Sequence, residues 1–227
     1  MNRLLRIFDD MAQCTEAGAA RMLPLVSAQR REQALKFKLP FGRFACLKSY
    51  MMLRQCVDEA LASPDQDLRP FQERLADWNG DFGYTGHGKP FMLDRSGLRI
   101  EGVDFSISHC RRAVAVALGD TPVGVDVESF REAGDSLLAR TMNADELVQI
   151  RLADNPAEAF TRLWTRKEAV LKLRGVGLVD NLHDVLLPRP DCPPVALETT
   201  VNRERLYACT LAVERTPRRT LTSPPSC

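Results

Sequence analysis

The sequence predicts an α+β fold. Helical and extended patterns interleave along its 227 residues without the regular strand–helix–strand alternation of a parallel α/β sheet. Three stretches carry the prediction: a strand of alternating valines from Val123 to Glu128, an apolar hairpin just before it, and a capped helix from about Pro156 to Arg174. With 44% hydrophobic residues, the chain can bury one large core or two smaller ones of roughly a hundred residues each.

The elements follow in chain order. Leu4 to Phe8 reads as a first strand. From Ser27 through Ala60, apolar residues recur at helical intervals (Leu47, Tyr50, Met51, Leu53, Val57), and Pro40-Phe41-Gly42 divides the stretch into two helices. Asp77 to Gly88 is rich in Gly, Asn, Asp and Tyr and reads as a surface loop leading into Lys89-Pro90-Phe91. Phe105 to His109 alternates apolar and polar residues, while Ala113 to Leu118 is wholly apolar. The pair predicts a hairpin whose return strand is buried on both faces. Gly119-Asp120-Thr121-Pro122 turns the chain into the next strand, where Val123, Val125 and Val127 share one face and Gly124, Asp126 and Glu128 the other. Asn155 is an N-cap before a proline at the first helical position, Glu158 adds charge to the first turn, and Gly175 supplies the stop. Phe160, Leu163, Trp164 and Leu171 form that helix's apolar stripe, and Trp164 reads as core. Pro188 to Pro194 reads as a loop and Thr216 to Cys227 as a frayed tail.

A net charge of +1 gives no global field for a polyanion or a membrane surface, which argues against nucleic acid as partner. No apolar run approaches the ~20 residues of a membrane span, and Met1 to Asp10 has the pattern of neither a signal nor a transit peptide. The seven cysteines are odd in number, scattered, and never spaced as CxxC, so a disulfide framework or zinc knuckle is disfavoured and a reducing cytoplasm fits.

Two patches carry chemistry. Asp126 and Glu128 project side by side from one strand face, either as a solvated acidic edge or, since neighbouring carboxylates repel, as the flanks of a cation. Glu168 and Lys172 lie four apart on one helix, a spacing that on its own suits a simple surface ion pair. Together, Asp126, Glu128 and Glu168 are the oxygen donors that magnesium takes, and Lys172 could meet a phosphate oxygen. His109 at a strand end is more often a structural hydrogen-bond partner than a catalyst. His87 and His183 have no metal-site spacing, and Cys110 lacks the third group a cysteine nucleophile requires.

Phe105-Ser106-Ile107-Ser108-His109, Gly124-Val125-Asp126-Val127-Glu128 and the run from Trp164 to Lys172 resemble, in order and spacing, the three motifs of the Sfp-type 4'-phosphopantetheinyl transferases. Gly88-Lys89-Pro90 resembles the element upstream of them, so the likeness covers roughly residues 86 to 178. The resemblance implies two similar α+β halves related by pseudo-twofold symmetry, residues 1–120 and 121–227, with the site between them. It implies transfer of phosphopantetheine from coenzyme A to a serine of an acyl or peptidyl carrier protein, with release of adenosine 3',5'-bisphosphate. By motif position, Asp126, Glu128 and Glu168 would hold magnesium, and Lys172 would contact the pyrophosphate. Ser108 and His109 would meet the 3'-phosphate region, and Lys89 and Pro90 would line the same end of the pocket. Glu168 would also be the general base. Arg43 aligns loosely with a basic residue for coenzyme A, and the family implies a monomer.

Two other classes remain. A magnesium-dependent phosphohydrolase or nucleotidyltransferase could use these carboxylates without a carrier. A non-catalytic carrier-binding module would use Arg111, Arg112, Arg162 and Arg166, residues that otherwise form a solvated face.

Overall fold

The computed structural model describes residues 3–177, 181–190 and 192–215. The tail expected from Thr216 to Cys227 lies outside the described residues. Strand β1 (Arg3–Phe8) leads through α1 (Glu16–Met22) and α2 (Ala28–Leu35) into the long α3 (Pro40–Ala62) and then α4 (Arg69–Leu75). Four strands follow: β2 (Trp78–Tyr84), β3 (Pro90–Asp94), β4 (Asp104–Cys110) and β5 (Ala113–Gly119). After β6 (Val123–Ser129) come α5 (Asp135–Thr141), α6 (Ala144–Arg151) and α7 (Pro156–Arg174), then β7 (Val195–Asn202) and β8 (Tyr207–Glu214). This is the α+β architecture expected.

The strands form three antiparallel sheets, β1-β5-β4, β2-β3 and β6-β8-β7. The two three-stranded sheets share one strand order: the first strand and the penultimate one flank the last, and a stretch containing a long helix separates the first from the other two, with α4 and the β2–β3 hairpin added in the first half.

Alternation along β5 explains how they stack. Val114, Val116 and Leu118 join the core beneath α3, which includes Phe44, Leu47 and Leu53. Ala113, Ala115 and Ala117 turn the other way, onto Val123, Val125, Val127, Cys209 and Leu211 of the second sheet. Alanine on this inner face lets the two sheets approach closely, and α7 covers the outer face of the second sheet, giving a helix–sheet–sheet–helix order. Among the described residues no helix is long and apolar enough to cross a membrane.

The stretch expected as a loop from Asp77 to Gly88 is for the most part strand β2, and this is a correction. Gly80 sits at φ 94°, where the pairing with β3 shifts register between Trp78 and Phe82. The bulge disguises a strand whose inward residues are apolar, with the Trp78 and Phe82 rings stacked at 5.9 Å.

Candidate active site

Helix α7 forms where its sequence dictates. The Asn155 side chain accepts from Glu158 N at 3.0 Å, Pro156 occupies the first turn, and Gly175 closes the helix at φ 66°. Strand β6 packs beneath it at Gly124, where a Cβ would stand 2.0 Å from Ala169 O and 2.5 Å from Leu173 N. Only glycine allows that approach. The face of β6 carrying Gly124 and Asp126 is therefore buried, not the solvated acidic edge that was one of the two readings; Asp126 is 3% exposed.

Edge strands β4 and β6 meet through side chains instead of a ladder. Asp104 Oδ2, Ser106 Oγ and Ser108 Oγ accept from Val123 N, Val125 N and Val127 N at 2.8, 3.0 and 3.2 Å. Three alternate residues of one strand thus satisfy three alternate amides of the other, each contact contributing about 1 kcal/mol. Ser108 then donates to Asp126 Oδ1 over 2.8 Å and accepts from Lys172 Nζ over 2.9 Å, which also reaches Asp126 Oδ1 at 2.7 Å. Lys172 therefore pairs with Asp126 and not, as helical spacing alone would have it, with Glu168.

Two carboxylate oxygens nearby are buried and make no hydrogen bond, Asp126 Oδ2 and Glu168 Oε1. Burial first, then the Asp126 charge, raises the proton affinity of both Glu128 and Glu168, while Arg131 and Lys172 pull it back. Arg131 is held in place over the rings of Phe160 and Trp164, its guanidinium 5.4 and 5.2 Å from their centroids. Trp164 is accordingly half-buried beneath a cation. Among the described residues no three Asp, Glu, His or Cys side chains are gathered tightly enough to hold a metal ion as they stand. The donor set nonetheless suits a hard cation: oxygen ligands only, two of them lacking partners, with the Asp126 charge raising the proton affinity of both glutamates.

A cleft of about 290 Å³ opens beside this cluster, lined by His87, Pro90, Ser106, Glu168, Lys172 and Gly177. His109 is exposed and lies edge-on to Phe41 at 5.6 Å; partial desolvation by its neighbours, then Lys172, lowers its proton affinity. Lys89 also borders the cleft, but its ammonium turns to Asp104 Oδ2 at 2.6 Å. Arg43, in the first turn of α3, donates to Glu16 Oε2 at 2.9 Å and to Phe37 O at 3.1 Å. Structure thus brings Ser108, Asp126 and Lys172 into direct contact, with Glu168 in the same cleft, and commits Lys89 and Arg43 to partners of their own.

Several functional groups escaped the sequence reading. Asp104 and Ser106 were legible only as the polar half of the β4 alternation, and Arg131 had no local signal. Lys167, adjacent to Glu168, points away from the cleft: it is fully buried, paired with Glu146 Oε2 at 2.8 Å and donating to Leu182 O at 2.7 Å.

Comparison with known proteins matches part of the chain that carries this cluster. The family model of the 4'-phosphopantetheinyl transferase superfamily matches residues 122–217, which hold β6 and α7. A 4'-phosphopantetheinyl transferase of Bacillus pumilus is 28% identical over 162 residues, 70% of this chain and 61% of the relative. One from Bacillus subtilis is 25% identical over 189 residues, covering 82% of this chain and 77% of the relative. An L-aminoadipate-semialdehyde dehydrogenase-phosphopantetheinyl transferase of Xenopus laevis is 33% identical over 125 residues, 50% of this chain and 40% of the relative. The chain thus spans less than two thirds of the Bacillus pumilus and Xenopus laevis proteins. The motifs, the matched region and Sfp of Bacillus subtilis among its relatives all agree in making the chain similar to the Sfp-type 4'-phosphopantetheinyl transferases.

Proposed function

We propose that this chain moves the 4'-phosphopantetheine arm of coenzyme A onto a serine of an acyl or peptidyl carrier protein and releases adenosine 3',5'-bisphosphate. The observation that carries this reading is the state of Lys172. Its ammonium has three N–H donors, two of which go to Ser108 and Asp126, so one remains beside the cleft and the two unpartnered carboxylate oxygens.

Asp126, Glu128 and Glu168 would hold magnesium, which when bound neutralises pyrophosphate charge and fixes its oxygens. Lys172 turns its free N–H to the pyrophosphate and meets the charge that develops as the bisphosphate leaves. Glu168, its proton affinity raised by burial, accepts the proton of the carrier serine as that oxygen attacks phosphorus and the phosphorus–oxygen bond to the nucleotide breaks. Ser108 holds Lys172 and Asp126 in register. His109 and Pro90, with the stem of Lys89, form the wall toward the nucleotide's 3'-phosphate, and Arg43 lies two residues beyond Phe41, the ring that touches His109.

Residues 1–120 and 121–227 form the two pseudo-symmetric halves in this reading, supported by their shared sheet connectivity. The six described cysteines are free thiols, in keeping with a cytoplasmic protein, and the cluster is drawn from one chain, in keeping with a monomer.

The test is intact-mass spectrometry of an apo carrier protein incubated with the chain, coenzyme A and magnesium, beside an Asp126→Ala control. A gain of one phosphopantetheine group, seen only with the unaltered chain and the metal, is the expected result. Nucleotide turnover without a carrier would instead make the chain a phosphohydrolase or nucleotidyltransferase. Carrier binding indifferent to magnesium, coenzyme A and Asp126→Ala would make it a docking module.

A further inference from the structure

We propose that Lys89 is a positioning residue that seats the C-terminal turn of α7 on β6, and that it is not a ligand of the nucleotide. The inference rests on the coenzyme A reading of the cleft and assigns one of its border residues a different task.

A lysine ammonium has three donors. Those of Lys89 reach Asp104 Oδ2 at 2.6 Å, Leu173 O at 3.2 Å and Val123 O at 3.3 Å, which uses all three. Lys172 offers the contrast, with two partners and one donor in hand. The Lys89 backbone is equally committed: its N–H donates to Thr85 Oγ1 at 3.0 Å, and its carbonyl accepts from Thr85 N at 2.9 Å. Its stem runs beside Gly175, where a Cβ would stand 3.3 Å from Lys89 Cδ.

The three partners belong to three elements. Asp104 opens β4 and also accepts from Val123 N at 2.8 Å, Val123 opens β6, and Leu173 is in the last turn of α7. Leu173 O is one of the four terminal carbonyls that have no intrahelical donor, and a cation there also complements the negative end of the helix dipole. Leu173 directly follows Lys172 and lies just over one turn beyond Glu168. Fixing this carbonyl against the start of β6 fixes the distance from which Lys172 meets Asp126. The Lys89 and Asp104 side chains are 16% and 14% exposed, so the pair is shielded from the competition that weakens surface ion pairs.

The experiment compares Lys89→Met, Asp104→Asn, the double variant and Lys89→Arg by steady-state transfer to a carrier protein, with hydrogen exchange of the α7 amides measured without substrate. A small misplacement of reacting groups costs on the order of 10- to 100-fold, so both single variants should lose that much in kcat. KM for coenzyme A should stay within about threefold of the unaltered chain, as for a group that binds no substrate. The double variant should be no worse than the poorer single one, Lys89→Arg should recover part of the loss, and amides at the end of α7 should exchange faster in both single variants.

A tenfold or greater rise in KM for Lys89→Met, with Asp104→Asn silent, would overturn the proposal and make Lys89 a phosphate ligand. So would unchanged α7 exchange in both variants. Absence of transfer by the unaltered chain would sink the coenzyme A reading alone, since the exchange measurement decides the clamp without substrate.

Discussion

Lys172 Nζ lies 2.7 Å from Asp126 Oδ1, a contact between a helix and a strand 46 residues apart in sequence. It gives the buried carboxylate a counter-charge while leaving its Oδ2 without a partner. Lys172→Met should therefore lower transfer by roughly 10²- to 10³-fold, the usual loss when one preorganised charge at the reacting centre is removed. Steady-state kinetics with a carrier protein checks this, and a loss under threefold would separate Lys172 from the reaction.

Gly124→Ala should destabilise the chain by about 1 to 3 kcal/mol, the range for an extra methyl forced into a packed interior. The new Cβ would meet the α7 backbone, which cannot move aside as a flexible side chain can. Urea unfolding measures the shift, and transfer should fall further than stability does because α7 carries both Glu168 and Lys172.

Lys167 and Glu146 form a buried pair, 0% and 6% exposed. Lys167→Ala should cost about 3 to 5 kcal/mol by leaving Glu146 charged and uncompensated. The double variant Lys167→Met, Glu146→Leu should recover most of that loss. Thermal melts of the three proteins decide, and equal melting temperatures for the unaltered and Lys167→Ala chains would refute it.

Burial pushes the Cys56 thiol up to about 11 and the Cys209 thiol up to about 12. Both hold their protons more tightly folded than unfolded, so the unfolded chain binds fewer protons between pH 9 and 12 and stability falls as pH rises through that window. The slope approaches about 1.4 kcal/mol per pH unit for each thiol charged only in the unfolded state. Urea midpoints at pH 8 and pH 10.5 test the sign, and Cys56→Ala should flatten the difference.

Elements with strong local chemistry were legible in the sequence. Asn155-Pro156 and Gly175 bound α7 at the residues where the helix begins and ends, and the alternating valines mark β6. β2 hid behind Gly80, whose bulge breaks the period-two pattern, and the β7–β8 pair was not recognised although β8 is the centre of its sheet. Of the candidate site, the acidic and basic residues could be picked out by type. The partner of each could not. Ser108 bonding to Val127 N, Lys172 choosing Asp126 over Glu168, and Lys89 turning to Asp104 all depend on which strand edge faces which, a relation set by the packing of two sheets.

The meeting of β4 and β6 has a consequence for solubility. An open strand edge is a template for pairing with another chain, and β6 lies at the edge of its sheet. Here three of its amides are capped by a carboxylate and two hydroxyls of β4. Had the edges joined by a backbone ladder, the sheets would have fused into one continuous six-stranded surface with a fixed register. Short side-chain links instead blunt the β6 edge and leave each sheet its own twist. Replacing Ser106 and Ser108 together by alanine should therefore show first as aggregation on storage, as light scattering that grows with protein concentration.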